Sequence, residues 1–117
     1  MAGENHRHSE RHEGFWKVYL VKDSEEIDLG FLFDLSDDGI MLWIHKEQKD
    51  LDKLFSIRIY LPADLGGGQL NLDLELVRKT GLGLSPYIEG GCHFVSLDGD
   101  QKILVDKLIE YFDRVKP

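Results

Sequence analysis

The 117-residue sequence predicts a mainly β fold, a six-stranded antiparallel β-barrel with a C-terminal α-helix. Six short apolar runs, separated by polar or Gly-containing turns, are typical of strands joined by hairpins. The final segment, 98–116, changes to helical spacing. The connections are too short for the crossover helices of a parallel sheet. We therefore expect a small closed sheet, with the helix over an open end or one face.

The first three predicted strands precede residue 46. FWKVYLVK (15–22) is rich in aromatic and β-branched residues, and GIMLWIH (39–45) is a nearly continuous apolar run. Between them, IDLGFLF (27–33) alternates with the period of a strand. The residues that this alternation places on one face are Ile27, Leu29, Phe31 and Phe33.

The next three predicted strands follow a polar connection. FSIRIYL (55–61) and QLNLDLELV (69–77) alternate clearly between apolar and polar residues. RKTGLGLSP (78–86) is assigned to a turn region. YIEGGCHFVSL (87–97) is the last predicted strand, and its glycine pair at 90–91 predicts a β-bulge.

Segment 98–116 predicts an amphipathic helix. Asp98 and Gln101 have the spacing of a capping box, in which each side chain accepts a hydrogen bond from the other residue's backbone amide. Pro117 cannot continue the helix. The apolar stripe expected to pack against the sheet comprises Leu104, Val105, Leu108, Ile109, Phe112 and Val115.

Composition divides the chain into two parts. Residues 1–14 are polar and histidine-rich, which predicts a flexible N-terminal arm, and residues 15–117 form the barrel domain with its helix. No run approaches the roughly 18 apolar residues that span a bilayer. The N-terminus lacks the apolar core of a secretory signal. We therefore expect a soluble, cytoplasmic protein without membrane insertion.

The net charge restricts the classes of function. A formal charge of −8 argues against binding of a nucleic acid polymer, which depends on a basic face. A small anionic ligand remains compatible, because a pair of arginines binds phosphates at short range. The sequence has no hydrolase triad context, phosphate-binding glycine loop or zinc-spaced Cys/His cluster, so we expect no enzymatic activity.

Two arginines of the arm, Arg7 and Arg11, form an R-x-x-x-R motif. At this spacing they share one side of an extended chain and lie one turn apart on a helix, so both guanidiniums can converge on one ligand. Each can form bidentate hydrogen bonds with phosphate oxygens or with the O6/N7 edge of guanine. By themselves, two arginines in a polar arm are more often simply solvated.

A second motif, D-x-S-x-x-G, comprises Asp34, Ser36 and Gly39 at a strand-to-strand turn. In a plain turn, Asp and Ser cap backbone amides and Gly permits a positive φ. In a binding site, the carboxylate accepts hydrogen bonds from guanine N1–H and N2–H₂, the hydroxyl steadies the turn or reaches a phosphate, and Gly39 lets the backbone approach a ligand. Alone, the motif favours a plain turn. Asp37 and Asp38 are expected to face solvent, because unpaired carboxylates beside an anionic ligand weaken binding.

Together, the two motifs and a β-rich body ending in GGCHFVSL and a helix resemble the PilZ domain family over about residues 7–112. The resemblance implies a six-stranded barrel with a C-terminal helix, cyclic di-GMP as the ligand, and neither cofactor nor catalysis. In that family the arginines bind guanine edges and phosphates, and the turn lines the other side of the ligand. The site residues that it implies are Arg7, Arg11, Asp34, Ser36 and Gly39.

The resemblance also implies a receptor whose arm folds over the barrel on ligand binding and changes a surface that a protein partner recognises. It suggests bacterial motility and biofilm machinery as the pathway. The alternative is a PilZ-like protein-interaction module that does not bind the nucleotide, but the presence of both motifs favours the receptor. Binding of one ligand or of a stacked pair stays open, because His6 and His8 flank Arg7 where many members have a further basic residue.

Three histidines of the arm, His6, His8 and His12, lie close to the arginines in sequence. They are more simply explained as solvated side chains than as a zinc or copper site, so no metal is assigned. We predict that affinity for cyclic di-GMP rises below about pH 6.5, because histidine protonation adds positive charge beside the ligand. Titration calorimetry at pH 6 and pH 8 checks this, and equal affinities would reject it.

Four further residues are assigned mainly structural roles. Cys92, the single cysteine, cannot form an internal disulfide and is expected in the core. Trp16 and Trp43 are expected to pack in the core or at its rim rather than to stack on a base. Arg58 is a candidate for one extra phosphate contact, although a solvated strand residue is the commoner case.

Overall fold

A computed structural model describes residues 16–115 of the chain. The predicted arm, residues 1–14, lies outside the described residues. The strands are β1 (Lys17–Lys22), β2 (Glu25–Leu35), β3 (Gly39–His45), β4 (Leu54–Tyr60), β5 (Gln69–Gly81) and β6 (Tyr87–Phe94), and helix α1 is Gly99–Val115. Single turns of 3-10 helix follow β3 and β4 at Lys46–Gln48 and Ala63–Leu65.

The six strands close into an antiparallel barrel in the order β1-β2-β3-β6-β5-β4, which confirms the predicted fold class. Closure is made by β1, which pairs with both β2 and β4 and so leaves no open sheet edge. Because neighbouring strands run in opposite directions, β1, β3 and β5 all begin at the same end of the barrel. The β2–β3 turn and the point where the chain enters β1 therefore lie at one end.

The hydrophobic core fills the barrel and continues onto α1. Buried apolar residues from all six strands, with Cys92 as the contribution of β6, form one cluster with Val105, Leu108 and Phe112 of the helix. At the start of β1, the Trp16 ring lies 5.5 Å from the ring of Tyr111 and 5.2 Å from that of Phe112, measured between centroids. The helix therefore covers the barrel end at which β1 begins. Among residues 16–115, no helix is both long and apolar enough to cross a bilayer.

Helix α1 starts with the predicted capping box. The Asp98 amide donates to Gln101 Oε1 at 2.9 Å, and the Gln101 amide donates to Asp98 Oδ1 at 2.8 Å. Gln101 Nε2 also donates to the carbonyl oxygen of Asn71 on β5 at 2.7 Å. The cap thus satisfies two helix-end amides and attaches the helix to the barrel.

Strand β2 contains two irregularities that change which residues face the core. Relative to β3, Phe33 is an extra residue, because Leu32 pairs with Leu42 whereas Asp34 pairs with Met41. A second shift lies opposite Val18 and Tyr19 of β1. Each bulge reverses the alternation of side chains along the strand.

The predicted inner face of β2 is therefore wrong for Phe31 and Phe33. The buried leucines of the strand are Leu29, Leu32 and Leu35. Phe31 and Phe33 lie half-buried on the outer surface, where Phe33 stacks on Trp43 with 5.3 Å between ring centroids. The bulge at Phe33 reverses the inward and outward alternation of side chains again. The Asp34 side chain therefore lies on the outer surface of the barrel.

Candidate functional site

A shallow cavity of about 240 Å³ lies where the β2–β3 turn meets β6 and β5 on the outer surface. Its lining includes Asp34, Ser36 and Gly39, so the structure brings together three of the five predicted site residues. The other two, Arg7 and Arg11, lie outside the described residues. The cavity spans four adjacent strands, with the motif turn at one side and β5 at the other.

Ser36 builds the turn. Its amide donates to the Gly39 carbonyl oxygen at 2.9 Å, closing the hairpin. Its hydroxyl oxygen accepts hydrogen bonds from the amides of Asp38 and Gly39, both at 3.3 Å. These bonds are those of a plain turn, and they also hold the wall of the cavity in one conformation.

Asp34 is exposed at the end of β2, and its side chain has a defined orientation. Oδ1 accepts a hydrogen bond from the Leu35 amide at 2.9 Å. This contact positions the carboxylate at the rim of the cavity. A carboxylate held there can accept hydrogen bonds from a ligand that presents paired N–H donors.

Gly39 is required by the approach of a neighbouring strand. It pairs with His93 of β6 and is buried. A Cβ added at Gly39 would lie 2.0 Å from the carbonyl oxygen of Cys92, closer than any real contact. The expectation that Gly39 leaves room for a ligand therefore needs correction, since β6 occupies that space. Its lack of a side chain lets β3 and β6 form the floor of the cavity together.

Cys92 and His93 belong to the cavity floor but not to a catalytic pair. Cys92 is 4% exposed, and burial raises the pKa of its thiol to about 12. His93 is exposed on the opposite face of β6. Cys92 is thus the core residue that the sequence predicts, with a thiol that stays protonated at neutral pH.

The two aspartates at the tip of the turn differ in position. Asp37 is exposed and is not part of the cavity lining, as expected. Asp38 is also exposed, but it lies at the cavity rim, and its carbonyl oxygen accepts a hydrogen bond from the Phe94 amide at 3.1 Å. The rim therefore has two carboxylates, Asp34 and Asp38, and an anionic ligand requires cations to offset them.

Arg78 is a lining residue that the sequence analysis missed. It was assigned to a turn after residue 77, whereas β5 continues to Gly81. Among the lining residues that the structure describes, Arg78 alone has a permanent positive charge. In the sequence, the leucine alternation ends at Leu76, which is equally compatible with the end of the strand and with a bulge; the pairing with β6 identifies the bulge.

Arg58 does not belong to this site. Its strand, β4, lies between β1 and β5 and contributes nothing to the cavity lining. Arg58 Nη1 lies 2.6 Å from Glu26 Oε2, and Arg58 Nε donates to Asn71 Oδ1 at 2.8 Å. The Tyr60 hydroxyl donates to the same Glu26 oxygen. Arg58 is therefore a surface strand residue, the commoner case in the sequence analysis, and its guanidinium is paired on the barrel away from this cavity.

Glu26, together with its partners Arg58 and Tyr60, makes the stability of the fold depend on pH. Hydrogen bonds from Tyr60 and Arg58 lower the pKa of Glu26 from its ordinary value. A group with a lowered pKa stabilises the fold above its unfolded pKa, and this contribution disappears as pH falls through its folded pKa. We expect Glu26→Gln to lower the melting temperature at pH 7, with a difference from wild type that shrinks towards pH 3.

Thermal melts followed by circular dichroism across this pH range test the expectation. Glu25→Gln is the matched control, because Glu25 has no ion pair or side-chain hydrogen bond among residues 16–115. A constant difference between wild type and Glu26→Gln at all pH values would contradict a role for the ionised carboxylate.

A larger cavity of about 320 Å³ lies at the other end of the barrel, between β1, β4 and the segment after β3. Three carboxylates, Glu47, Asp50 and Asp52, line it together with Lys22. This excess of negative charge makes it a poor site for an anionic nucleotide. In the part of the chain that the structure covers, no group of three or more His, Cys, Asp or Glu is arranged to hold a metal ion. The three histidines of the arm lie outside that part.

Both tryptophans pack against other rings, as expected. Trp16 contacts the helix, and Trp43 stacks on Phe33 with an angle of 19° between the ring planes. Trp43 also lies 5.8 Å from the Tyr87 ring. These contacts place both indoles against neighbouring rings, and among the described residues Trp43 Nε1 is buried without a hydrogen-bond partner.

The family model for the PilZ domain matches residues 5–111 of the chain. A comparison with curated proteins found no match. Among solved structures, the chain is similar to the Bacillus subtilis inhibitor of motility MotI/DgrA, with a TM-score of 0.64 and 18% identity over 88% of this chain and 49% of that one. The chain thus spans about half the length of that protein.

Two other solved structures have the same fold. The PilZ domain with c-di-GMP of YcgR from Escherichia coli gives a TM-score of 0.61 at 17% identity, covering 85% of this chain and 82% of that one. The Borreliella burgdorferi PlzA protein in complex with c-di-GMP gives a TM-score of 0.56 at 14% identity, covering 93% of this chain and 50% of that one.

Proposed function

Because this chain belongs to the PilZ domain family, we propose that it is a receptor for cyclic di-GMP that signals to a protein partner. The observation behind the proposal is that Asp34, Ser36 and Gly39 meet in one surface cavity. The structural neighbours YcgR and PlzA are described with c-di-GMP, which supports the choice of ligand. In this proposal the protein acts by binding the nucleotide and not by catalysis.

The topology supports a role for the arm. Trp16, the first described residue, accepts a hydrogen bond at its carbonyl oxygen from the Leu32 amide at 2.9 Å, and Asp34 lies two residues further along β2. From Trp16 back to Arg11 is five residues, and an extended chain of that length reaches up to about 17 Å. The arm continues into β1, the strand next to β2, so the chain length allows both motif arginines to reach the cavity.

The barrel and the arm offer complementary groups to a guanine nucleotide. The Asp34 carboxylate accepts hydrogen bonds from the N1–H and N2–H₂ of a guanine, while Arg7 and Arg11 donate to phosphates and to the O6/N7 edge. The described cavity is about 240 Å³, below the roughly 300–1,000 Å³ of pockets that enclose a drug-sized ligand. The arm therefore completes the site by closing over a ligand that the barrel holds on one side only.

Closure of the arm gives a signal that a partner protein can recognise. Trp16 connects the arm to α1 through its contacts with Tyr111 and Phe112, so binding of the arm to the ligand changes the surface next to the helix. The partner is an effector protein, and the similarity to an inhibitor of motility makes the motility machinery the first place to search for it.

Titration of the full chain with cyclic di-GMP tests the proposal. Calorimetry gives affinity and stoichiometry, which distinguishes one bound ligand from a stacked pair. NMR titration reports whether resonances of residues 1–14 shift together with those of the β2–β3 turn. Absence of both heat and spectral change would reject the receptor and favour the interaction module that does not bind the nucleotide.

A further inference from the structure

One polar wall of the cavity is formed on β5 by Arg78, a residue outside both sequence motifs. The cavity lining crosses β2, β3, β6 and β5, so Asp34 and Arg78 stand at opposite sides. Strands in a sheet are about 4.8 Å apart, so the path along the curved sheet from β2 across β3 and β6 to β5 is about 14 Å. A carboxylate at one side and a guanidinium at the other give the cavity a polarity that suits an extended ligand with N–H donors at one end and acceptors at the other.

A β-bulge turns Arg78 towards the cavity. Leu76 pairs with Cys92 and Arg78 pairs with Gly91, so Val77 is an extra residue in β5. Leu70, Leu72 and Leu74 are buried at alternate positions, and strict continuation would direct residue 78 into the core. The extra residue reverses the alternation and places Arg78 on the outer surface. The predicted bulge at Gly90–Gly91 thus lies at this point of the sheet, but its extra residue is on the partner strand.

Arg78 is unpaired in the structure as described. Within residues 16–115 its guanidinium has no ion pair or hydrogen bond, although the cavity rim has two carboxylates. The neighbouring cation, Lys79, points elsewhere and donates from Nζ to the Lys49 carbonyl oxygen at 2.9 Å. A solvent-exposed guanidinium held at a cavity wall keeps all five donors for a ligand.

Gly91 opens the floor beside Arg78. A Cβ placed on Gly91 would lie 3.7 Å from Arg78 Nη2 and 3.9 Å from Met41 Cε. The Gly91 backbone therefore lies in a slot between the Met41 thioether and the Arg78 guanidinium. A planar base or a phosphate that enters this slot rests on the peptide and meets the guanidinium from the side.

We propose that Arg78 is a ligand-binding residue that donates to acceptor atoms of cyclic di-GMP at the end furthest from Asp34. The acceptors are phosphate oxygens or the O6/N7 edge of a guanine, which a guanidinium recognises with the same paired donors. This inference rests on the proposed receptor function and extends its site to β5. Arg78 also places a cation on the barrel itself, opposite the side at which the arm enters.

Calorimetry with cyclic di-GMP on the full-length protein tests the assignment with Arg78→Ala, Arg78→Lys and Lys79→Ala. We expect Arg78→Ala to weaken binding about 10- to 100-fold, the effect of losing a charge-assisted contact. Lys79→Ala removes the same charge one residue away and should bind like wild type. Melting temperatures of the two Arg78 variants should stay close to that of wild type, because Arg78 has no partner within residues 16–115. Lys79→Ala removes one exposed hydrogen bond, to the Lys49 carbonyl oxygen, and should lower the melting temperature only slightly.

Arg78→Lys identifies the acceptor. Lysine keeps the point charge but loses the planar fork, so retained affinity indicates a phosphate contact and a loss equal to that of Arg78→Ala indicates the guanine edge. Equal affinities of wild type, Arg78→Ala and Lys79→Ala would overturn this inference and leave the receptor function intact. If wild type itself fails to bind, the receptor function and this inference both fall.

Discussion

Replacing Asp34 with alanine is expected to abolish cyclic di-GMP binding while the barrel stays folded. The carboxylate is exposed and contacts the Leu35 amide at the end of β2, so its removal opens no core cavity. In the proposed complex it accepts hydrogen bonds from guanine, and loss of one partner in such a contact costs about 2–5 kcal/mol. That corresponds to a weakening of roughly 30- to several-thousand-fold, which removes binding of micromolar strength from the range of calorimetry.

Arg7→Ala and Arg11→Ala are expected to have losses of the same order, because each removes a bidentate guanidinium. Asp37→Ala is the matched control for Asp34→Ala. It removes one carboxylate from the same turn at a position outside the cavity lining. Circular dichroism and melting curves establish that each variant is folded. Wild-type affinity in Asp34→Ala, or equal losses in Asp34→Ala and Asp37→Ala, would exclude a specific contact.

The strands and the helix were predictable because their signals are local. The leucines of 70–76 alternate with strand period, and Asp98 and Gln101 place the start of the helix from their spacing alone. Barrel closure follows from six hairpin-spaced strands with no crossover helix. The strand and helix signals need only neighbouring residues, closure needs only the order and spacing of these elements, and the structure confirms the barrel with its C-terminal helix.

The errors arise where register depends on a partner strand. Phe33 and Val77 are extra residues only relative to β3 and β6, so no pattern within β2 or β5 alone could identify them. These two bulges border the cavity, and they determine that Asp34 and Arg78 both face outwards. The same non-local geometry explains why Asp34 was identified through its motif, whereas Arg78 was assigned to a turn.

Gly39 shows how the immediate neighbour of a motif residue can differ from the one that the motif suggests. The sequence allowed a positive φ or close approach of a ligand. The structure shows close approach of a protein backbone instead, since Cys92 of β6 is the neighbour that excludes a side chain. The glycine is therefore expected to act on the shape of the site through strand pairing.

Gly39→Ala tests this role directly, because it should reduce both stability and binding. A Cβ at this position would meet the Cys92 carbonyl oxygen at 2.0 Å, and a backbone atom cannot rotate away as a side chain can. β3 and β6 must separate locally, and we expect a loss of about 1–3 kcal/mol in the free energy of unfolding, typical of overpacking. Denaturant unfolding measures the stability, and calorimetry with cyclic di-GMP measures the binding.

Gly81→Ala is the control, since Gly81 also lies in a strand but a Cβ there meets nothing within 4 Å. It should leave the free energy of unfolding close to wild type, because the change adds a methyl group without a clash. A loss of binding at wild-type stability in Gly39→Ala would contradict this role. It would mean that Gly39 affects the ligand directly and that β6 moves aside without any loss in the free energy of unfolding. Paired losses in stability and binding would instead identify the β3–β6 contact as the element that holds Asp34 and Arg78 on opposite walls of one site.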